Sequence, residues 1–157
     1  MEMLIHNFLE YLELIGKSKR TISEYALDLR VFLSFFGGQH SPDLALLQSL
    51  QRKDIEKYTY YLKNVRQNTA ATRCRKISSL KVFYDFLIRE NLVHKNPVND
   101  VAKPKKPEKL PKYLTLEQSR ILLDVISGKH QSRDLCMLTL LLNCGLRLSE
   151  LTGLNLG

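Results

Sequence analysis

The sequence predicts an all-α chain in three parts. These are a four-helix domain over residues 1–100, a basic proline-rich linker over 101–112, and the opening helices of a second domain over 113–157. Three observations carry this reading. Apolar residues recur at helical spacing throughout, and no segment alternates as a half-buried strand does. Pro104, Pro107 and Pro111 break the pattern in one short stretch. The 45 residues that follow are fewer than the ~50 of a self-contained domain.

The first helix is expected over 3–15, with Leu4, Phe8, Tyr11, Leu12 and Ile15 on one stripe and Gly16 as its stop. The second opens on Thr21 and Glu24, which have the spacing of a capping box. Its stripe is Ile22, Tyr25, Leu29, Phe32, Leu33 and Phe36, and Gly37-Gly38 ends it. A loop with Pro42 and a short apolar turn (Leu44, Leu47, Leu50) lead to a third helix near 53–66, bearing Ile55, Tyr58, Leu62 and Val65. The fourth spans about Thr69 to Glu90, with Ile77, Leu80, Tyr84 and Leu87. Four such amphipathic helices can enclose a core.

Each proline of the linker disfavours helical geometry in the residue before it, so 101–112 reads as extended chain. Beyond it, Thr115 caps a helix with Gln118 in the box position, carrying Leu116, Ile121, Leu122, Val125 and Ile126. The next helix, at about 132–143, is apolar nearly all round and needs cover on most of its surface. With so few residues available to cover it, the second domain is expected to be incomplete here.

Composition narrows the function. The net charge is +8, and it is localised. Residues 52–81 hold nine Lys/Arg against two acids, and 103–112 hold five Lys against one Glu, while the remainder is slightly acidic. Two basic blocks on a near-neutral background point to a polyanion partner rather than to charge for solubility. The amino-terminal stretch has acids among its apolar residues and no basic region of a signal peptide. The longest apolar run, LCMLTLLL at 135–142, falls well short of the ~20 residues that span a bilayer. Three cysteines (Cys74, Cys136, Cys144) without a CxxC pair read as reduced thiols of a cytoplasmic protein. No metal site is expected, because the four histidines have no ligand spacing with the cysteines. Gly16-Lys17-Ser18 is not a P-loop, since Tyr11 stands where the first glycine must be.

Two helix starts combine hydroxyls with cations: Lys19, Arg20 and Thr21 on the second helix, and Thr72, Arg75, Lys76, Ser79 and Lys81 on the fourth. Phosphate oxygens accept from both kinds of donor and favour the positive end of a helix dipole. On a helical wheel Thr72, Arg75 and Ser79 project opposite or obliquely to the apolar stripe, flanked by Lys76 and Lys81. The plain alternative is a solvated basic face. The linker adds Lys103, Lys105 and Lys106. In the tyrosine cluster Tyr58 and Tyr61 fall on or beside the stripe, whereas Tyr60 points away and can lie on a sugar or phosphate.

The sharpest signal is CGLRLSELTGL at 144–154. Gly145 breaks the apolar helix, and Arg147 begins the next with Ser149 and Glu150 in its first turn. The planar fork of Arg147 can clamp a phosphate or carboxylate in bidentate fashion. It can equally form an internal pair with Glu150 on one helical turn.

The string GLRLSEL resembles the first arginine motif of tyrosine recombinases, the Xer and phage-integrase family. TISEYALDLRVFLSFF is similar to that family's second core-binding helix, and RKISSLKVFYDFLIRENLVHKNPV to its fourth helix and following turn. KPKKPEKLPKYLTLEQ resembles the interdomain linker and the start of the catalytic domain. The resemblance implies a SAM-like core-binding domain followed by the beginning of a mixed α/β catalytic domain. It also implies that the two clamp double-stranded DNA between them. In the family a tyrosine attacks the scissile phosphate to give a 3′-phosphotyrosyl link, without metal or other cofactor, and protomers assemble in a synaptic tetramer. By resemblance Arg147 is the first catalytic arginine and Glu150 supports the site's geometry. None of the seven tyrosines follows Arg147, so none matches the nucleophile, and this chain is expected to be inactive alone. The alternatives are a naturally truncated DNA-binding competitor and a protein-interaction fragment.

Overall fold

The computed structural model describes residues 1–37, 43–105 and 110–155. The described residues are helical, with no strand among them, and the chain divides into two units, Met1–Glu108 and Lys109–Gly157. The first holds α1 (Glu2–Leu14), α2 (Lys19–Gly37), α3 (Leu44–Ser49), α4 (Arg52–Asn64) and α5 (Ala70–Arg89). The second holds α6 (Leu116–Asp124), α7 (Gln131–Cys144) and α8 (Leu148–Thr152). The four long helices expected of the first unit are present. The apolar turn at 44–50 forms a fifth, short helix because the Asp43 carboxylate accepts the Leu46 N–H at 2.8 Å and seeds the first turn.

α2 is capped one turn earlier than the sequence predicted. Ser18 Oγ accepts the Thr21 N–H at 3.2 Å and lies 2.9 Å from the Thr21 hydroxyl, so Thr21 is inside the helix and is not its cap. Both residues are hydroxyls at cap spacing, and the turn after Gly16 selects the earlier one. Gly38 and Pro42 lie outside the described residues.

The core of the first unit gathers Phe8 and Leu12 from α1, Leu29 and Phe32 from α2, Ile55 and Tyr58 from α4, and Ile77, Leu80, Phe83 and Tyr84 from α5. Edge-to-face contacts knit it together, with ring centroids 5.1 Å apart for Phe8–Phe83 and 5.2 Å for Phe32–Tyr58. α5 is the central element and packs against both α2 and α4, while Phe83 and Phe86 meet α1. A helix with neighbours on several sides has no wholly solvated back. Lys76 and Ser79, expected to face outward, are therefore buried against α2, at 8% and 0% exposure. Val65, placed on the α4 stripe, lies just past the helix end and is exposed.

The turn after α5 is pinned by Asn96. Its amide donates to the Lys81 carbonyl (3.1 Å) and the Asp85 carboxylate (2.7 Å), and its Oδ1 accepts the buried Val98 N–H at 2.9 Å. Asn96→Ala is expected to cost about 2 kcal/mol, because it strands a buried backbone donor. A lower urea midpoint at unchanged slope would register this.

In the second unit, Thr115 and Gln118 form the expected reciprocal box, with Thr115 Oγ1 accepting the Gln118 N–H and Gln118 Oε1 accepting the Thr115 N–H. Gly145 ends α7 at φ +63°, a conformation that favours glycine. α7 packs on α6 and α8, and no described residue of this unit is fully buried.

Candidate nucleic-acid interface

The amino ends of α2 and α5 make the core of the candidate surface. Contacts advance in the same sense along the two helices, from Glu24 with Arg75 to Asp28 with Ser79. α2 and α5 thus meet within the first half of each helix, five to nine residues from their starts. Lys19 and Arg20 are exposed in the first turn of α2 and make no ion pair among the described residues. Thr69 caps α5 by accepting the Thr72 N–H at 3.2 Å, and the two hydroxyls lie 3.0 Å apart. Half-buried Thr72 thus faces the helix start with its hydroxyl already engaged.

Arg75, Lys76 and Ser79 converge on a residue that the sequence reading did not single out. Asp28 is buried to 1% exposure and accepts from Arg75 Nη1 at 2.7 Å, Lys76 Nζ at 2.8 Å and Ser79 Oγ at 3.1 Å. Glu24 Oε2 lies 3.1 Å from the same Arg75 nitrogen. Two of the cations counted in the 52–81 block are therefore matched by carboxylates on α2, and the field they project outward is weaker than the block's net charge implies. Lys76 and Ser79 are removed from the candidate contact surface by this packing. The available signal was an acid set directly before Leu29 in the apolar stripe of α2.

Arg75 keeps a side chain 38% exposed, so it can reach outward while anchored inward. Lys81 is exposed further along α5. Cys74 Sγ donates to the Pro104 carbonyl at 3.2 Å, tying the first linker residues to α5. Lys103 and Lys105 are exposed on that segment, and Lys106 lies outside the described residues. Tyr60 is 70% exposed on α4, as its place off the stripe predicts.

Arg147 stands at the start of α8, a five-residue helix. Its backbone N–H donates to Glu150 Oε2 at 2.7 Å and its Nη1 to Glu150 Oε1 at 2.8 Å. These two bonds, the backbone one first, hold the Glu150 carboxyl below its ordinary range. The internal pair is thus formed, while the Arg147 side chain stays 82% exposed with its other nitrogens outward. Glu150 engages the arginine and leaves most of its side chain exposed.

Among the described residues no group of three or more His, Cys, Asp or Glu side chains is arranged to hold a metal ion. No described helix is long and apolar enough to cross a membrane.

Residues 5–91 match the family profile described as phage integrase, N-terminal SAM-like domain. The chain is 36% identical to a tyrosine recombinase XerC of Caldanaerobacter subterraneus subsp. tengcongensis, covering 98% of this chain and 48% of that protein. It is also 36% identical to a tyrosine recombinase XerD of Oceanobacillus iheyensis, covering 99% and 52%. The chain therefore spans about half the length of the curated relatives it matches. Its fold resembles the Tn1549 transposon integrase solved with circular intermediate DNA, at TM-score 0.66 and 23% identity over 97% of this chain and 49% of that one. It also resembles the XerA recombinase, at TM-score 0.52 and 24% identity over 99% and 50%. The helical bundle, the family match across it and the similarity to Xer proteins over nearly the whole chain lead to one assignment: this chain belongs to the phage-integrase family of tyrosine recombinases and carries its amino-terminal SAM-like domain.

Proposed function

We propose that this chain is the DNA-clamping portion of a site-specific tyrosine recombinase. Residues 1–100 form its core-binding domain, 101–112 the strap across the duplex, and 113–157 the start of its catalytic domain. The observation that carries the reading is similarity to Xer recombinases that covers 98–99% of the chain. Duplex phosphates would be met by Lys19 and Arg20 at the start of α2, with Thr21 beside them. Thr72, Arg75 and Lys81 on α5 and Lys103, Lys105 and Lys106 in the linker complete the set. Arg147 is the first arginine for charge on the reacting phosphate, positioned by Glu150. The exposed guanidinium and the two bonds to Glu150 support those roles.

On this reading the chain binds DNA in the cytoplasm and does not cleave it alone, since it holds no tyrosine after Arg147. Strand exchange through a 3′-phosphotyrosyl intermediate, and assembly with further protomers in a synaptic tetramer, belong to the complete recombinase. A titration of labelled duplex at several salt concentrations tests the binding. Log K is expected to fall linearly with log[salt] with a slope of several units, because each neutralised phosphate releases counterions. Neutral replacement of Lys103, Lys105 and Lys106 together is expected to flatten that slope by about 2 units. A response independent of salt would overturn the DNA reading and favour the protein-interaction alternative.

A further inference from the structure

The Asp28 cluster does more than hold two helices together. We infer that Asp28 is a positioning residue, which presents Arg75 to a DNA phosphate from beneath while Glu24 holds the place that the phosphate takes. The inference rests on the DNA-binding reading and adds to it a residue that never touches the ligand.

Three features of the geometry carry it. The Asp28 contact is buried and hydrogen-bonded, and Asp28 is held in turn by Lys76 and Ser79, so this end of Arg75 is fixed. A carboxylate supported on several sides orients an arginine fork as an outer partner orients a functional histidine. The Glu24 contact differs in kind. It is close enough for charge attraction at 3.1 Å but lacks hydrogen-bond geometry, and both side chains are about 40% exposed. An exposed ion pair of this sort is worth little and is readily exchanged for a phosphate. Finally, Arg75 lies one turn into α5, between the helix start and the linker segment that Cys74 ties down, where Lys103 also lines the same groove.

The signs of the expected effects separate positioning from plain electrostatics. Removing an acid near a polyanion site strengthens binding if only net charge matters. Glu24→Gln is expected to do that, tightening binding of a labelled mixed-sequence duplex about threefold. The Asp28→Asn/Lys76→Met double variant leaves net charge unchanged and removes the two buried charges as a pair, an exchange that folded proteins often accept. It is expected to weaken binding about tenfold and to lower the salt slope by about one unit, as the loss of one phosphate contact does. In an Arg75→Gln background both effects are expected to vanish, because both act through Arg75.

The experiment is this set of salt titrations on the full 157-residue chain, each variant held at a temperature where circular dichroism shows it folded. A folded double variant that binds like the unaltered chain overturns the inference and leaves Asp28 as a structural residue only. An effect of Glu24→Gln that persists in the Arg75→Gln background overturns the exchange of carboxylate for phosphate. An unaltered chain that fails to bind duplex overturns the DNA reading itself, a result distinct from either of these. Glu24 and Arg75 are partly exposed, so their variants test the exchange even if the double variant does not fold.

Discussion

Asp28→Ala is expected to cost the amino-terminal unit about 3–5 kcal/mol in urea denaturation. The cause is what the substitution leaves behind. Lys76 is only 8% exposed, and its ammonium would remain in the interface between α2 and α5 without the carboxylate it pairs with. Ser79, fully buried, would lose one acceptor and keep only its bond to the Lys76 carbonyl. A buried charge stripped of its partner costs far more than the intact pair contributes. Adding Lys76→Met to Asp28→Ala is therefore expected to restore much of the loss, since it removes the stranded charge. An Asp28→Ala chain with the urea midpoint of the unaltered protein would show that Lys76 finds water instead. The packing described for α5 would then be wrong.

The second large effect concerns Arg147. In a recombinase that carries this stretch together with the family's other catalytic groups, Arg147→Lys is expected to reduce strand cleavage ~10²–10³-fold. Lysine keeps the charge but not the planar fork that can grip two phosphate oxygens while bonded to Glu150. In the 157-residue chain itself the same change is expected to alter duplex affinity less than about twofold, because the proposed binding surface lies at Lys19, Arg20, Arg75 and the linker. Cleavage of a suicide substrate at the unaltered rate would refute the role given to Arg147.

What was legible in the sequence was local. The Thr115–Gln118 box, the glycine stop at Gly145 and the Arg147–Glu150 pair each involve residues three or four apart, or a single backbone conformation. Such features need no knowledge of the rest of the fold. The misplacement of the α2 cap was also local: Ser18 and Thr21 offer the same chemistry one turn apart. The faces of α5 were not legible. A helical wheel locates the strongest apolar stripe but does not say how many neighbours a helix has, and α5 has several. The same limit hid Asp28, whose three partners lie 47–51 residues further along the chain. Polar side chains at 76 and 79 read as surface when the acid that satisfies them is remote in sequence. The family resemblance named the second and fourth long helices, but only the packing separated Arg75, which can reach outward, from Lys76 and Ser79, which cannot.

The amino ends of α2 and α5, with the linker segment beside them, are the surface proposed to meet DNA. Amide hydrogen exchange on the full chain, with and without a duplex, tests it most directly. The first-turn N–H groups of both helices lack intrahelical carbonyl partners and exchange readily unless something covers them. Duplex is expected to slow exchange at residues 18–21, 69–72 and 102–105 and to leave the outer face of α1 unchanged. Duplex bound with no slowing at those three segments would contradict it.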